Sequence, residues 1–419
     1  MPFGNREKKK IYVGYDLGEE TCQISFFMPG MDEPGTASTI ADSEIFEIPT
    51  VLAKRKGVNQ WYYGNEAVRL SSDPGFFPVD SLLSKACEGG NTLVDGNEYD
   101  SLSLLTLYIK RSLSVLSFFC STNDITELRI TTASMNGETV DMLRSAADGL
   151  GLRDTRISFE DHAESFFHYL MHSGADFRNG GQQAFSLAGD TLRSCLLNCS
   201  GNTKPLVVTS DERTYKGFSD GPGLDRDFLD CLENGAMGDD VAEVYISGSV
   251  FSRNGIDRSL RYILNGRKAY EGSNLFSKGA VYSVMDKASG DVSDDEIIFL
   301  GKDKLRSNVG IRAMDKGEEI YHPLMDAGTN WYEAGSELTF VLTGDRSIPL
   351  YITPISGEKP YVELLPLKNV PERPEGTLRL HMVMKMTDVK TLKAVVRDPG
   401  FGQIYPETGL SWEFTVILG

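Results

Sequence analysis

Two short turns in this chain place acidic residues beside glycine, and these residues have the clearest capacity for chemistry. They are Asp16, Gly18, Glu19 and Glu20 in the first turn and Gly189, Asp190 and Thr191 in the second. Because glycine allows close approach to the backbone, amide N–H groups in such turns can surround phosphate oxygens, and an aspartate can hold Mg²⁺. The two turns therefore indicate a phosphate or magnesium site.

Each turn joins the two predicted strands of a hairpin. In the first hairpin, Ile11 to Phe27, apolar residues alternate along the return strand, which is typical of a half-buried strand. The second hairpin spans Ala184 to Cys199, and a buried strand that ends at Ser247-Gly248-Ser249 follows it. Because helical segments separate these strands, residues 1–290 predict an α/β fold with two similar lobes around a cleft.

These segments and their order resemble the seventy-kilodalton heat-shock chaperone family. The first hairpin resembles the family's first phosphate loop, and residues 157–170 resemble its connecting helix, with Glu160 at the family's glutamate. Leu224 to Leu232 resembles the helix after the family's Gly-Gly turn, of which Gly221 remains. The segment around Ser247-Gly248-Ser249 resembles the family's adenosine motif.

The resemblance implies an actin-like ATPase fold whose cofactors are ATP or ADP with Mg²⁺. The implied nucleotide-binding residues are Asp16, Gly18, Glu19, Glu20, Gly189, Asp190, Thr191, Gly221, Gly248 and Ser249. Asp16 is the expected metal contact if Mg²⁺ binds. The candidate catalytic residues are Asp16, Glu160 and Asp190.

Several positions depart from the family's pattern. Two threonines after the first glycine are replaced by Glu19 and Glu20, and the metal-ordering aspartate of the second hairpin is replaced by Ser186. The short interval between Cys231 and Val241 leaves no room for the subdomain that clamps adenine in the family. Since acids crowded around a phosphate pocket repel a polyphosphate, we expect a degenerate, non-hydrolysing cleft. An active, compact ATPase with altered phosphate loops is the alternative.

The pattern changes to short strands with glycine and proline turns in residues 308–419, which predicts a sandwich of two antiparallel sheets. Gly310 to Leu324 and Asn369 to Gln403 resemble strands of the family's peptide-binding β-domain. The resemblance implies a pocket for one apolar side chain of an extended peptide, formed by Ile311, Met314, Phe340, Thr343 and Leu350. Alternatively, these residues are the core that any β-sandwich requires. No helical lid is expected after the last strand.

Residues 291–307 change to acidic and small residues around a short apolar core, Ile297 to Leu300. By resemblance, this segment is an interdomain linker. The alternative is an edge strand that leads into the next domain.

The composition limits the classes of partner. A net charge of -18 over 419 residues argues against sequence-independent nucleic-acid binding and against anionic membrane surfaces. No apolar run approaches the roughly 18 residues of a membrane span. The scattered cysteines lack a Cys-x-x-Cys pair, which fits a reduced, cytoplasmic setting. His168 and His172 have a metal-compatible spacing but no His-Glu-x-x-His arrangement, so zinc is not expected.

The sequence thus predicts a chaperone-like protein that is not an enzyme. Its expected partners are an extended peptide or a client protein, with a co-chaperone-like protein as a further partner. The alternative is an ATP-dependent chaperone that hydrolyses ATP.

Overall fold

The first hairpin begins a mixed sheet, as its alternating apolar residues predict. The computed structural model describes residues 10–40, 43–200, 205–272, 274–289 and 297–418. The chain divides into two compact units, Met1–Phe299 and Leu300–Gly419. The elements up to Ser173 are β1 (Tyr12–Leu17), β2 (Thr21–Phe27), β3 (Gly35–Thr36), β4 (Ile48–Pro49), β5 (Leu52–Arg55), β6 (Trp61–Tyr63), α1 (Gly64–Leu70), β7 (Phe76–Val79), α2 (Leu82–Glu88), β8 (Asn91–Val94), β9 (Asn97–Asp100), α3 (Ser101–Ser112), β10 (Glu127–Thr132), α4 (Gly137–Leu150), β11 (Arg156–Asp161) and α5 (His162–Ser173).

The N-terminal sheet has the strand order β11-β10-β1-β2-β3, and β4 pairs with the start of β2. β1, β10 and β11 run parallel, whereas β1, β2 and β3 run antiparallel. Since parallel strands end at the same edge of a sheet, the residues that follow β1 and β11 lie at the same edge of the N-terminal sheet.

Glu160 lies in strand β11, so the predicted helix over residues 157–170 is wrong for its first residues. These residues pair with β10 along the whole strand. The carboxylate of Asp161 accepts a hydrogen bond from the Glu164 amide at 2.7 Å and caps α5, so the helix begins at His162. Asp161 followed three residues later by Glu164 is itself a helix-start pattern, and the resemblance to one continuous connecting helix obscured it.

A second sheet follows, which we call the middle sheet. Its region contains β12 (Gly181–Ala188), β13 (Thr191–Ser200), β14 (Leu206–Lys216), α6 (Leu224–Cys231), β15 (Val241–Ser247), α7 (Ser249–Asn254), α8 (Asp257–Ile263), β16 (Lys268–Glu271), α9 (Leu275–Ser289) and β17 (Ile297–Phe299). The strand order is β16-β15-β12-β13-β14-β17. Like the N-terminal sheet, it combines an antiparallel three-strand meander with two further strands parallel to the first of the three.

Helices α5 and α9 pack against both sheets. Phe166 and Phe276 join the apolar core on the middle sheet, whereas Val281 packs on Tyr12 of the N-terminal sheet. The two helices approach so closely that a Cβ on Gly279 would overlap the backbone carbonyl of Ser165. Glycine is therefore required at position 279, because any side chain there would force the helices apart.

We predict that Gly279→Ala lowers the free energy of unfolding by about 3 kcal/mol, because the added methyl group meets backbone that cannot move independently. Urea denaturation of the whole chain measures this change. Gly137→Ala is the matched control, since Gly137 is also helical and has open space at its Cβ position. Equal stability of the two variants would contradict the close crossing.

The second unit contains only strands among its described regular elements. They are β18 (Ser307–Asp315), β19 (Glu318–Met325), β20 (Gly335–Leu342), β21 (Ser347–Pro354), β22 (Tyr361–Pro366), β23 (Leu378–Met386), β24 (Thr391–Arg397) and β25 (Ser411–Ile417). They form a first C-terminal sheet of order β19-β18-β21-β22 and a second of order β20-β23-β24-β25, both antiparallel. The predicted order of an α/β part followed by antiparallel sheets is confirmed.

Part of the segment predicted as a linker lies within the described ranges. Ile297–Phe299 forms β17, which pairs in parallel with the first residues of β14, while residues 291–296 lie outside the described ranges. Phe299 is buried against the middle sheet. Among the described residues, no helix combines the length and apolar character needed to cross a membrane.

Candidate functional site

The first turn is held by a contact that its sequence does not reveal. Asp16 Oδ1 lies 2.8 Å from Nε2 of His162, the first residue of α5. Because a carboxylate only accepts, Nε2 is the donor. The His162 ring stacks on Phe276 with 3.9 Å between ring centroids, so the histidine is fixed from α9 as well. Asp16, the predicted metal contact, is therefore already bonded to a side chain.

The two glutamates of the first turn point in different directions. Glu19 Oε2 accepts a hydrogen bond from the Ser84 amide at 3.0 Å and satisfies the first turn of α2. Glu20 reaches the second hairpin instead, where a Cβ on Gly189 would lie 2.7 Å from Glu20 Oε1. The structure thus brings the two predicted turns together and separates the roles of the two glutamates.

The second turn is closed by local hydrogen bonds. Gly189 has a φ of 58°, which favours glycine, and the Thr191 hydroxyl donates to Asp190 Oδ1 at 2.8 Å. The Asp190 carbonyl accepts from the amides of Gly217 and Phe218, each at 3.0 Å. Asp190 therefore anchors the segment after β14.

The predicted adenosine motif receives a carboxylate from the first hairpin region. Glu47 directly precedes β4, which pairs with β2 just after Glu20. Glu47 accepts hydrogen bonds from the Ser249 amide, at 3.0 Å, and from the Ser249 hydroxyl. Gly248, just before Ser249, has a φ of 115°, a backbone conformation that favours glycine. The Glu47 carboxylate thus occupies the Ser249 amide, the backbone donor that an anionic ligand would need.

Glu160 is fully buried among polar partners. Ser165 Oγ and Ser283 Oγ each donate to its carboxylate at 2.6 Å, and Arg129 Nη1 lies 3.4 Å away. Burial raises the pKa of Glu160, although the Arg129 charge opposes that shift. Asp16 and Glu160 occupy one row of the N-terminal sheet, with Thr131 between them. Glu160 faces helices α5 and α9 and holds them to the sheet.

The last predicted residue, Gly221, forms a turn before α6, where its carbonyl accepts from the Leu224 amide at 3.0 Å. Gly221 comes three positions after Phe218, whose amide donates to the Asp190 carbonyl of the second turn.

Cavities border two parts of the predicted site. A cavity of about 40 Å³ borders His162, Ser186 and Arg193, which is room for water and far below the roughly 300 Å³ of a small-molecule pocket. Among the described residues, no group of three or more acidic, histidine or cysteine side chains is arranged to hold a metal ion. An apolar cavity of about 300 Å³ lies beside Gly248, Phe251 and Tyr270.

Residues 33–302 match the model of the C-terminal part of a family of unknown function, DUF5716. The chain belongs to the DUF5716 family. Residues 304–418 match a further domain of unknown function, DUF8552. No curated protein matches the chain. The DUF5716 match begins after the first hairpin and includes the second hairpin, Glu47, α5 and α9.

A separate cluster in the DUF5716 region joins α5 to α9. Asp286 contacts His168 Nδ1 and His172 Nε2, each at 2.7 Å, and His172 stacks on Tyr282. Burial opposes ionisation of Asp286, but the hydrogen bonds from both histidines outweigh it and lower the pKa to about 2. The spacing of His168 and His172 thus lets both side chains bind the Asp286 carboxylate.

We predict that Asp286 makes stability depend on acid pH. Its pKa is depressed in the folded state, so its contribution is complete above the unfolded value of about 4 and is lost as pH falls towards 2. Asp286→Asn should be less stable than the unmodified protein at pH 6, and the difference should shrink between pH 4 and pH 2, as roughly set by those pKa values. Urea denaturation at each pH measures the difference. Asp148→Asn, which changes an exposed aspartate of α4, is the control variant. Equal pH dependence of stability in both variants would refute the assignment.

The predicted peptide-pocket residues of the DUF8552 region do not meet in one pocket. Leu350 and Ile311 are buried on neighbouring strands of the first C-terminal sheet. Phe340 lies on β20 of the second C-terminal sheet, Met314 is 67% exposed, and Thr343 is exposed beyond the end of β20. Leu350 and Ile311 therefore belong to the core, the alternative that the sequence leaves open.

An apolar surface is present on the solvent side of the first C-terminal sheet. The strand register places on one face Met314, Tyr321, Tyr351, Val362 and Leu364, which we call the outer apolar face. Leu364 is 57% exposed, and Val362 is 45% exposed. An antiparallel sheet with one buried face usually has polar residues on the other, so this face departs from the expected alternation. Exposed apolar patches of this kind mark interaction sites.

Proposed function

We propose that this chain is a non-enzymatic, chaperone-like interaction protein. A degenerate actin-like unit accompanies a β-sandwich that binds an extended peptide or a partner protein. The repeated plan of the N-terminal and middle sheets, with α5 and α9 between them, supports the actin-like assignment. The antiparallel sheets of the second unit support the resemblance to a peptide-binding domain.

The observation that carries the proposal is the internal pairing of the groups that would bind a nucleotide. The Ser249 amide donates to Glu47, and the Asp16 carboxylate accepts from His162. A phosphate would have to displace Glu47, and a magnesium ion would have to displace His162. Glu20 also faces Gly189 of the second turn, so a polyphosphate there would meet negative charge at short range.

Calorimetric titration with Mg-ATP tests the degenerate cleft. We expect no binding heat at ligand concentrations up to about 1 mM and no phosphate release, because the donors are occupied and the carboxylates repel the ligand. Adenosine is titrated in parallel, because an apolar cavity such as the one beside Gly248 could hold a nucleoside that has no phosphate groups. Micromolar ATP affinity with phosphate release would favour the alternative, an active compact ATP-dependent chaperone.

A pair of variants asks whether Glu47 is the blocking group. Glu47→Ala frees the Ser249 amide, whereas Glu44→Ala removes an exposed acid three positions earlier and leaves that amide bonded. Weak ATP binding that is gained only in Glu47→Ala would support an internal carboxylate as the obstacle. Binding of ATP by the unmodified protein would refute it.

The outer apolar face is the proposed peptide-binding surface. Val362 and Leu364 lie on β22, which forms one edge of the first C-terminal sheet. An extended segment can add to such an edge through main-chain hydrogen bonds and place alternate side chains beside the apolar face. Tyr351, with Arg312 stacked over its ring at 4.8 Å, forms the wall towards the sheet centre. The selected ligand is therefore an extended segment with apolar residues at alternate positions.

We predict that Val362→Lys weakens binding of a neutral peptide of alternating leucine and serine, carrying an uncharged fluorescent label, by about ten-fold, or about 1.4 kcal/mol. The charge would have to be desolvated beside the bound peptide. Fluorescence anisotropy measures the affinity. Val68→Lys is the matched control, because Val68 is a valine of similar exposure, 47%, on helix α1 of the first unit. Equal loss in both variants would exclude the outer apolar face as the peptide site.

A further inference from the structure

The second C-terminal sheet carries positive charge on its solvent side, although the whole chain has a net charge of -18. The register of its two central strands, β23 and β24, places five basic residues on one face, which we call the cationic face. They are Arg379, His381, Lys385, Lys393 and Arg397. The neighbouring strands contribute two acids to the same side, Glu337 and Glu413.

The charges on this face lie in rows across the strands. Lys385 is directly opposite Lys393, and His381 is directly opposite Arg397. Like charges directly opposite each other, as at Lys385 and Lys393, destabilise a sheet, since the side chains start only about 5 Å apart. In the other row, His381 Nε2 lies 3.4 Å from Glu337 Oε1, so Arg397 carries the positive charge of that row. Among the described residues, Lys385, Lys393 and Arg397 form no ion pair with an acid. The repulsion between Lys385 and Lys393 therefore lowers the stability of the sheet. A bound anion would reduce this repulsion.

An apolar row separates the two cationic rows. Val383 and Val395 are opposite each other between them, and Glu337 and Glu413 extend this row on either side. Alternate residues of a strand are about 6.7 Å apart, so the cationic rows are about 13 Å apart. The two glutamates would repel an acid placed in the valine row. The face thus combines two anion-attracting rows with a central row suited to an apolar group.

We propose that the cationic face binds an extended acidic segment of a partner protein, in which two acids four residues apart flank an apolar residue. In an extended chain, residues at positions i, i+2 and i+4 point the same way with the spacing of the three rows. The acids would meet Lys385 with Lys393 and His381 with Arg397, while the apolar residue covers the valines. This surface lies on the other sheet from the outer apolar face, so it does not depend on the proposed function.

A protein segment fits this face better than a nucleic acid. Single-stranded nucleic acids are held by aromatic side chains that stack on bases, and the three rows contain none. The large negative charge of the rest of the chain would also repel a long polyanion. A short segment with only two acids avoids most of that repulsion.

Fluorescence anisotropy with a labelled, end-capped peptide that contains Asp-Ser-Leu-Ser-Asp tests the proposal on the full chain. We expect binding that weakens as salt rises from about 50 mM to about 200 mM, because surface charge pairs are screened. Lys393→Glu should reduce the affinity by about ten-fold. The same substitution should keep or raise the urea midpoint, because the introduced carboxylate would face Lys385 and replace a like-charge pair by an opposite-charge pair.

Lys359→Glu is the matched control, since it changes the net charge equally at an exposed loop position outside the face. It should retain the unmodified affinity. A second peptide, Asp-Leu-Ser-Asp, puts its acids three residues apart, so they cannot face the same way, and it should bind several-fold more weakly. The proposal is overturned if both lysine variants lose affinity equally, if the two peptides bind alike, or if a single-stranded oligonucleotide competes more strongly than the first peptide.

Discussion

The close crossing of α5 and α9 is the constraint on which the first unit depends. Each of the two mixed sheets buries one face on this helix pair, and Gly279 removes the side chain that would separate the helices at Ser165. Glu160 adds a polar connection from the N-terminal sheet to both helices through Ser165 and Ser283. Because packed backbone transmits displacement, the same crossing sets the position of His162 and Phe276 beside Asp16.

The acids near the turns follow from that arrangement. Bringing two hairpins together would place several carboxylates close to one another, which is unfavourable unless each finds a donor. In the structure each of four acids has its own donor: Asp16 uses His162, Glu19 uses Ser84, Glu47 uses Ser249, and Asp190 uses Thr191. These four acids are satisfied internally, and this property is the physical basis for proposing a binding protein over an ATPase.

In the second unit, the inward and outward faces of the two β-sheets have different roles. Their inward residues, such as Leu350 and Met382, are interchangeable in role because any sandwich needs them. Their outward faces differ in chemistry, one apolar around Val362 and one cationic around Lys393. A buried core alone does not demand these outward residues, and Lys385 and Lys393 face each other as like charges.

Local patterns in the sequence determined a large part of the fold. The alternation in the hairpins, the Gly248 turn and the strand-rich second half predicted an α/β part followed by antiparallel sheets, because side-chain periodicity is a local property. The boundary at Asp161 was missed although Asp161 and Glu164 form a local helix-start pattern, because the resemblance favoured one continuous helix. The pairing of Asp16 with His162, and of Glu47 with Ser249, was decided by tertiary structure alone. These partners are far apart in the chain, and only the strand order and the helix crossing bring them within hydrogen-bonding distance.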